Sequence, residues 1–313
     1  MKPGLQRSVP AQTRPPAGTP PTPPQHFRTR MRGYRVVWAI ICFLALPMLW
    51  YGAVRTRSGQ LMDTLSMNAV QEHMPLRTVP VRTLEVLVSV PTLVVIGVVL
   101  VAVTLLRRRL GLTVRAGLVF VAANVTTQVL KDFLPRPNMG IGHVLENSFP
   151  SGHVTAAASV VVVAIAVVPV GVRSLVAYVG AVFMALVGLA VVNVGWHRPS
   201  DVLGALIVVC FFALLMLPSE WIPSRPRIWS SLLAWLGVLI LAASTIGFAF
   251  VARYLLGDPL IFGSGPVTAS TLVAVAARAN PGAYLTLIST GFIAGGSALL
   301  ASAVDRLAGG APR

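Results

Sequence analysis

The chain has 313 residues, 55% of them hydrophobic and only 11% charged, with a mean hydropathy of +0.78. A soluble domain carries roughly 25% charged residues, and several apolar runs here approach or exceed the ~20 residues that cross a bilayer as a helix. This composition excludes an ordinary soluble protein and predicts an all-α, polytopic integral membrane protein. The net charge of +16 does not indicate a nucleic-acid partner, because Arg and Lys sit in the N-terminal tail and in short loops, with no basic helix or aromatic-interleaved patch. They read as topology determinants beside anionic membrane lipids.

Residues 1–33 hold the Pro-rich stretch Ala11 to Pro24 and scattered basic residues without an acid. Such a segment cannot bury a core and reads as a disordered tail. It is not read as a signal peptide, because Trp50-Tyr51 at the end of the first apolar run suits an interfacial anchor. Eight apolar runs follow, near 34–54, 83–106, 111–130, 154–170, 174–196, 200–217, 229–256 and 281–304. The fourth and sixth are short and must borrow residues from the motifs that flank them. Gly59 to Val70 has an imperfect helical spacing that suggests a short interfacial helix. Cys42 and Cys210 lie inside apolar runs and read as small core residues, not as a disulfide or a metal site. Gly291 and Gly295 permit close helix packing in the last run.

Placing the tail, the Arg107-Arg108-Arg109 loop and the loop with Arg225 and Arg227 in the cytoplasm satisfies the positive-inside rule. Arg55, Arg57, Arg77 and Arg82 then lie on the opposite side, in a loop that also holds Asp63 and Glu72. In this orientation the residues with chemical potential face away from the cytoplasm, in three stretches.

The first stretch is Lys131-Asp132-Phe133-Leu134-Pro135-Arg136-Pro137. Pro135 disfavours helix at Leu134, so the span should end there, with Lys131 on its last turn and Arg136 just beyond. Both cations also suit ordinary helix-end and snorkelling roles. The second is Phe149-Pro150-Ser151-Gly152-His153. Ser151 is a good helix N-cap, and the free amides after it, with Gly152 allowing close approach, suit an anion. His153 asks for more, because an ionisable group beside a span is costly unless used. The third is His197-Arg198-Pro199-Ser200-Asp201. Pro199 fits a first helical turn, and Asp201 can accept from one imidazole nitrogen and free the other as nucleophile or base. A plain His–Asp surface pair is the alternative reading, and Asn193 reads as an interhelical hydrogen bonder. Asp132, Glu146 and Asp201 are too scattered to argue for a metal, and no cofactor is expected.

Together, the three stretches supply cations for a phosphate, amides to cradle its oxygens and two histidines to divide nucleophile and acid work. They resemble the type 2 phosphatidic acid phosphatase superfamily, which includes membrane lipid phosphatases, glucose-6-phosphatase and vanadium-dependent haloperoxidases. The resemblance covers roughly residues 34–217, a six-span core, and leaves two further helices and a short tail over 218–313. It implies that His197 attacks phosphorus to form a phosphohistidine, Asp201 orients His197, and His153 protonates the leaving oxygen and then activates water. Lys131, Arg136, Ser151 and the Gly152 amide would hold the phosphate. The chain departs from the family pattern twice. Lys131 and Arg136 have four residues between them where six are usual, and Ala190-Val191 stands where Ser-Arg is usual. Arg198 is the candidate to replace that missing charge.

The expected protein is therefore a metal-independent phosphatase of the cell membrane, acting on a lipid phosphate or diphosphate at the extracytoplasmic face. The competing expectation is a transporter or scaffold that retains only an anion-binding site.

Overall fold

A computed structural model of the chain describes residues 24–74, 91–92, 95–99, 102, 110–141, 147–222, 228–256 and 281–309. The described chain is a bundle of helices: α1 (Gln25–Val54), α2 (Arg57–His73), α3 (Leu110–Phe133), α4 (Gly152–Val167), α5 (Val170–Asn193), α6 (Pro199–Met216), α7 (Ile228–Leu256) and α8 (Pro281–Arg306). Two-residue strands β1 (Glu220–Trp221) and β2 (Ala308–Gly309) pair in parallel. Six of the helices are long and apolar enough to cross a membrane, and α4 is a shorter apolar helix. The protein is a multi-pass membrane protein.

Seven of the eight expected spans coincide with α1 and α3 to α8, and the run at 83–106 lies largely outside the described residues. The short runs do extend into their motifs, because α4 starts at Gly152 and α6 at Pro199. One boundary differs. Helix α1 begins at Gln25, within the segment read as tail, after the extended residue Pro24. The residues that follow are rich in arginine, a good helix former, and Arg35 donates to the Leu214 and Leu215 carbonyls at 2.6 and 2.7 Å. Those carbonyls belong to the last turn of α6, where a cation suits the dipole.

The centre of the bundle is α4, in which every residue from Val154 to Val163 is buried. It packs against α3, α5, α6 and α8. Small residues let the helices close on one another, as expected where lipid offers no hydrophobic drive for association. A Cβ on Gly188 of α5 would sit 2.8 Å from both Ile293 of α8 and Val202 of α6. Gly295 faces the Gly237 carbonyl of α7 in the same way. Although α8 comes last in the chain, it touches α2, α5, α6 and α7 and is mostly buried. Cys42 and Cys210 are free thiols in α1 and α6.

The expected helix over 59–70 is real and longer, running the full length of α2. Thr56 caps it by accepting from the Gly59 amide at 3.0 Å. Asn193, at the end of α5, closes the other end by donating to the Val70 and Met74 carbonyls at 3.1 and 3.0 Å. Its role as an interhelical hydrogen bonder stands. Helix α2 therefore lies across one end of the bundle, where α3 and α5 end and α4 and α6 begin.

Candidate active site

The end of the bundle covered by α2 is built from three helix termini tied together by hydrogen bonds. Helix α3 stops at Phe133, before Pro135, and its last carbonyls are taken by the Asn147 side chain, which donates to Leu134 O at 2.7 Å and to Lys131 O. That contact docks the 147–151 segment on α3. Ser151 then caps α4, its Oγ accepting from the Val154 amide at 3.4 Å. The Ser151 amide in turn donates to Asp201 O at 3.0 Å, which joins the start of α4 to the first turn of α6. Thr127 and Thr155 bond at 3.0 Å and hold α3 to α4 one turn deeper.

The third stretch is positioned by a glycine. Helix α5 ends with the Gly195 amide donating to Val192 O and the Trp196 amide donating to Val191 O, with Gly195 at φ +79°. This is a Schellman motif, and its left-handed residue is one that only glycine adopts without penalty. The His197 amide also donates to Val191 O, so the imidazole leaves the loop from a fixed point. The ring centroids of His153 and His197 are 5.9 Å apart in an edge-on arrangement, and Trp196 lies 5.4 Å from His153. Two residues distant in sequence thus face each other at the mouth of α4 and α6.

The cations converge on the same place. An added Cβ on Gly152 would meet Lys131 Nζ at 3.7 Å and Gln128 Nε2 at 3.4 Å, so the bare glycine lets the ammonium approach the α4 N-terminus. Arg136 is buried and donates through Nη2 to Asp201 Oδ1 at 3.0 Å. Arg198 is 3% exposed and donates through Nε to Thr64 Oγ1 at 3.3 Å. Burial and the neighbouring Arg136 charge both pull the Arg198 guanidinium below its ordinary value. Arg136 Nε and Nη1 and Arg198 Nη1 are buried with no hydrogen-bond partner among the described residues. Buried donors left in this state are costly, about 1–3 kcal/mol each and more when charged. A cluster of them suits an anion's oxygens.

Asp201 behaves differently from expectation. Its Oδ2 accepts from Ser148 Oγ at 2.6 Å and from the Arg198 amide at 2.9 Å, the second closing half a capping box. With that oxygen occupied, His197 Nδ1 stays 3.7 Å away, in ion-pair range but beyond a hydrogen bond. The expected His197–Asp201 hydrogen bond is therefore not formed at this separation. Ala190 and Val191, where the third motif usually carries Ser-Arg, are both buried hydrophobic residues.

Two contributors escaped the sequence reading. Asp63 on α2 accepts from the Ser200 amide at 3.1 Å and from Ser200 Oγ at 2.5 Å, and Thr64 beside it holds Arg198. Burial, then the Asp201 charge, pushes the Asp63 carboxyl up to about 6. The only sequence signal was an aspartate inside a weakly helical stretch outside the spans. Ser148 was the other, hidden in a loop with no periodicity.

The PAP2 superfamily model matches residues 112–224. The solved structure of a transmembrane PAP2-type phosphatidylglycerolphosphate phosphatase from Bacillus subtilis is 27% identical, over 56% of this chain and 94% of that chain, with a TM-score of 0.46. No curated protein matches the chain. The matched segment, 112 to 224, is the part of the chain that holds Lys131, Arg136, Ser151, Gly152, His153, His197, Arg198 and Asp201.

Proposed function

We propose that the protein is a membrane phosphatase that removes phosphate from a lipid phosphate or diphosphate, through a phosphohistidine and without a metal. The observation that carries this reading is the facing pair His153 and His197, 5.9 Å apart between ring centroids, beside a buried cluster of arginines whose donors lack partners among the described residues. A phosphoryl group needs charge stabilisation and positioning more than covalent help from the protein. Lys131, Arg136 and Arg198 supply positive charge, and the Ser151 cap leaves the first amides of α4 free to meet oxygens.

His197 Nε2 attacks phosphorus as the bond to the leaving oxygen breaks, and protonated His153 gives that oxygen its proton. His153, now neutral, takes a proton from water, whose oxygen displaces His197 and releases inorganic phosphate. Asp201 stabilises the imidazolium side of His197 across the 3.7 Å gap.

A lipid substrate fits a second feature. A cavity of about 520 Å³ lies among α1, α2, α6, α7 and α8, lined by Met48, Met62, Leu203, Phe248, Ile288 and Phe292 and reaching Asp63 and Ser200. It adjoins the cation cluster through the Ser200–Asp201 turn and offers room to the apolar chain of a substrate whose headgroup sits on the histidines. In this reading the 34–217 region is the catalytic core, and α7 and α8 complete the cavity. The site faces away from the cytoplasm of a cell-membrane protein, as the positive loops argue.

The test is phosphate release by purified protein from a panel of lipid phosphates and diphosphates, with vanadate as inhibitor. Release abolished by His197→Ala, together with an acid-labile phosphoprotein in the wild type, supports the reading. Vanadate binding without turnover of any member of the panel would leave the non-catalytic, anion-binding alternative standing instead. A cysteine introduced at the exposed Asn138 reports orientation, and labelling only from the cytoplasm would reverse it.

A further inference from the structure

Helix α2 lies outside the segment that matches the superfamily model, yet it makes direct polar contacts to the first turn of α6. Asp63 reaches Ser200 twice, through the backbone amide and the hydroxyl, and all of these groups are buried. One residue along, Thr64 Oγ1 accepts from Arg198 Nε. Both residues lie on one turn of α2, and both of their targets lie in the same turn, between His197 and Asp201. Arg198 then has one guanidinium nitrogen fixed on α2 and another, Nη1, buried without a partner among the described residues.

A long side chain such as arginine loses much rotamer freedom when it is fixed. An arginine already held through Nε is ordered before the anion arrives. That is the general advantage of preorganisation, in which a binding site loses less freedom on meeting its ligand. This chain has Val191 where the resembled family pattern carries an arginine, so the burden on Arg198 is correspondingly larger.

We propose that Asp63 and Thr64 are positioning residues for the phosphate cradle: Asp63 clamps the α6 turn through Ser200, and Thr64 aims Arg198. This rests on the phosphate-site reading above, but not on turnover. Neither residue touches the phosphate. Arg136 and Arg198 offset part of the Asp63 charge, against burial and the neighbouring acid Asp201.

The experiment measures vanadate affinity of the purified, full-length protein by calorimetry, with melting followed alongside. Asp63→Asn removes the charge but keeps an acceptor for the Ser200 amide and a partner for its hydroxyl, whereas Asp63→Ala removes both. The expected result is wild-type or tighter affinity in Asp63→Asn and about tenfold weaker binding in Asp63→Ala than in Asp63→Asn. Thr64→Val, which leaves the clamp intact, is expected to weaken binding severalfold. In an Arg198→Ala background Thr64→Val should then add nothing, because the two act through one contact. Equal affinities in the alanine and asparagine variants, within twofold, would overturn the proposal. If Asp63→Ala fails to fold, Thr64→Val decides: unchanged affinity sinks the idea. No vanadate binding by the wild type would remove the cradle itself. Binding without hydrolysis of any lipid phosphate would defeat the phosphatase reading and leave the clamp to be judged on these affinities.

Discussion

Arg136 Nη2 lies 3.0 Å from Asp201 Oδ1, and both side chains are buried, 3% and 0% exposed. A cation expected to hold substrate is therefore also the counter-ion of the carboxylate that faces His197. The pair couples fold to chemistry. Removing one partner of a buried pair leaves an uncompensated charge and typically costs 3–5 kcal/mol.

Arg136→Ala should accordingly lower both stability and activity, with a melting transition depressed by several degrees or more. Arg136→Lys keeps a charge near Asp201 but lacks the planar fork that reaches a second acceptor. It should retain most of the stability and lose most of the turnover. Equal melting temperatures for wild type and Arg136→Ala, measured in one detergent, would show that the pair carries no structural weight.

Arg198→Ala should reduce kcat/KM on the preferred lipid phosphate by about 10²-fold, the usual cost of one lost charge-assisted contact to a transferring group. His153→Ala should cost about 10²–10⁴-fold as the general acid is removed, and more for a poor leaving group than for a good one. Steady-state kinetics on two substrates that differ in leaving-group pKa separates the two effects. An Arg198→Ala enzyme with unaltered turnover would mean that Lys131 and Arg136 carry the phosphate without it.

The spans were legible because apolar length alone identifies them, and the motifs were legible because each sits at a helix terminus that Pro135, Ser151 or Pro199 announces. What stayed hidden was contact between segments. Nothing local in Asp63 points to Ser200, and nothing in Ser148 points to Asp201. The expected His197–Asp201 hydrogen bond followed correctly from an i, i+4 spacing, but spacing cannot say that Ser148 and the Arg198 amide already occupy the carboxylate oxygen. The start of α1 stayed hidden for a related reason. The basic residues after Gln25 look like solvated tail, and nothing local shows that the helix carrying Arg35 to the α6 carbonyls begins among them.

Gly195→Ala tests how the His197 loop is set. A Cβ at φ +79° is strained, at about 1–2 kcal/mol, and it would also sit 2.6 Å from Gln71 Nε2. The variant should fold with reduced stability and lose activity out of proportion to that loss, because a small displacement of His197 moves the nucleophile. Gln71→Ala combined with Gly195→Ala relieves the contact but not the backbone strain. Activity fully restored in the double variant would assign the defect to Gln71 and not to the turn.

Asp63 gives the protein a stability that depends on pH. Its carboxyl is raised from 3.8 to about 6, by burial first and by Asp201 second, so the folded state binds a proton more tightly than the unfolded chain. A raised folded-state value contributes stability that is fully present below the unfolded value and is lost as pH climbs through the folded one. Between about pH 4 and 6 the unfolded chain ionises first, and above 6 the buried carboxylate costs about 3 kcal/mol. Asp63→Asn keeps partners for Ser200 and carries no such cost. Its melting temperature should match the wild type near pH 4, rise above it through pH 6, and hold a constant margin from pH 7 upwards. A margin that does not change between pH 4.5 and 7.5 would show that Asp63 does not titrate in this range, and would place its carboxylate in balance with Arg136 and Arg198.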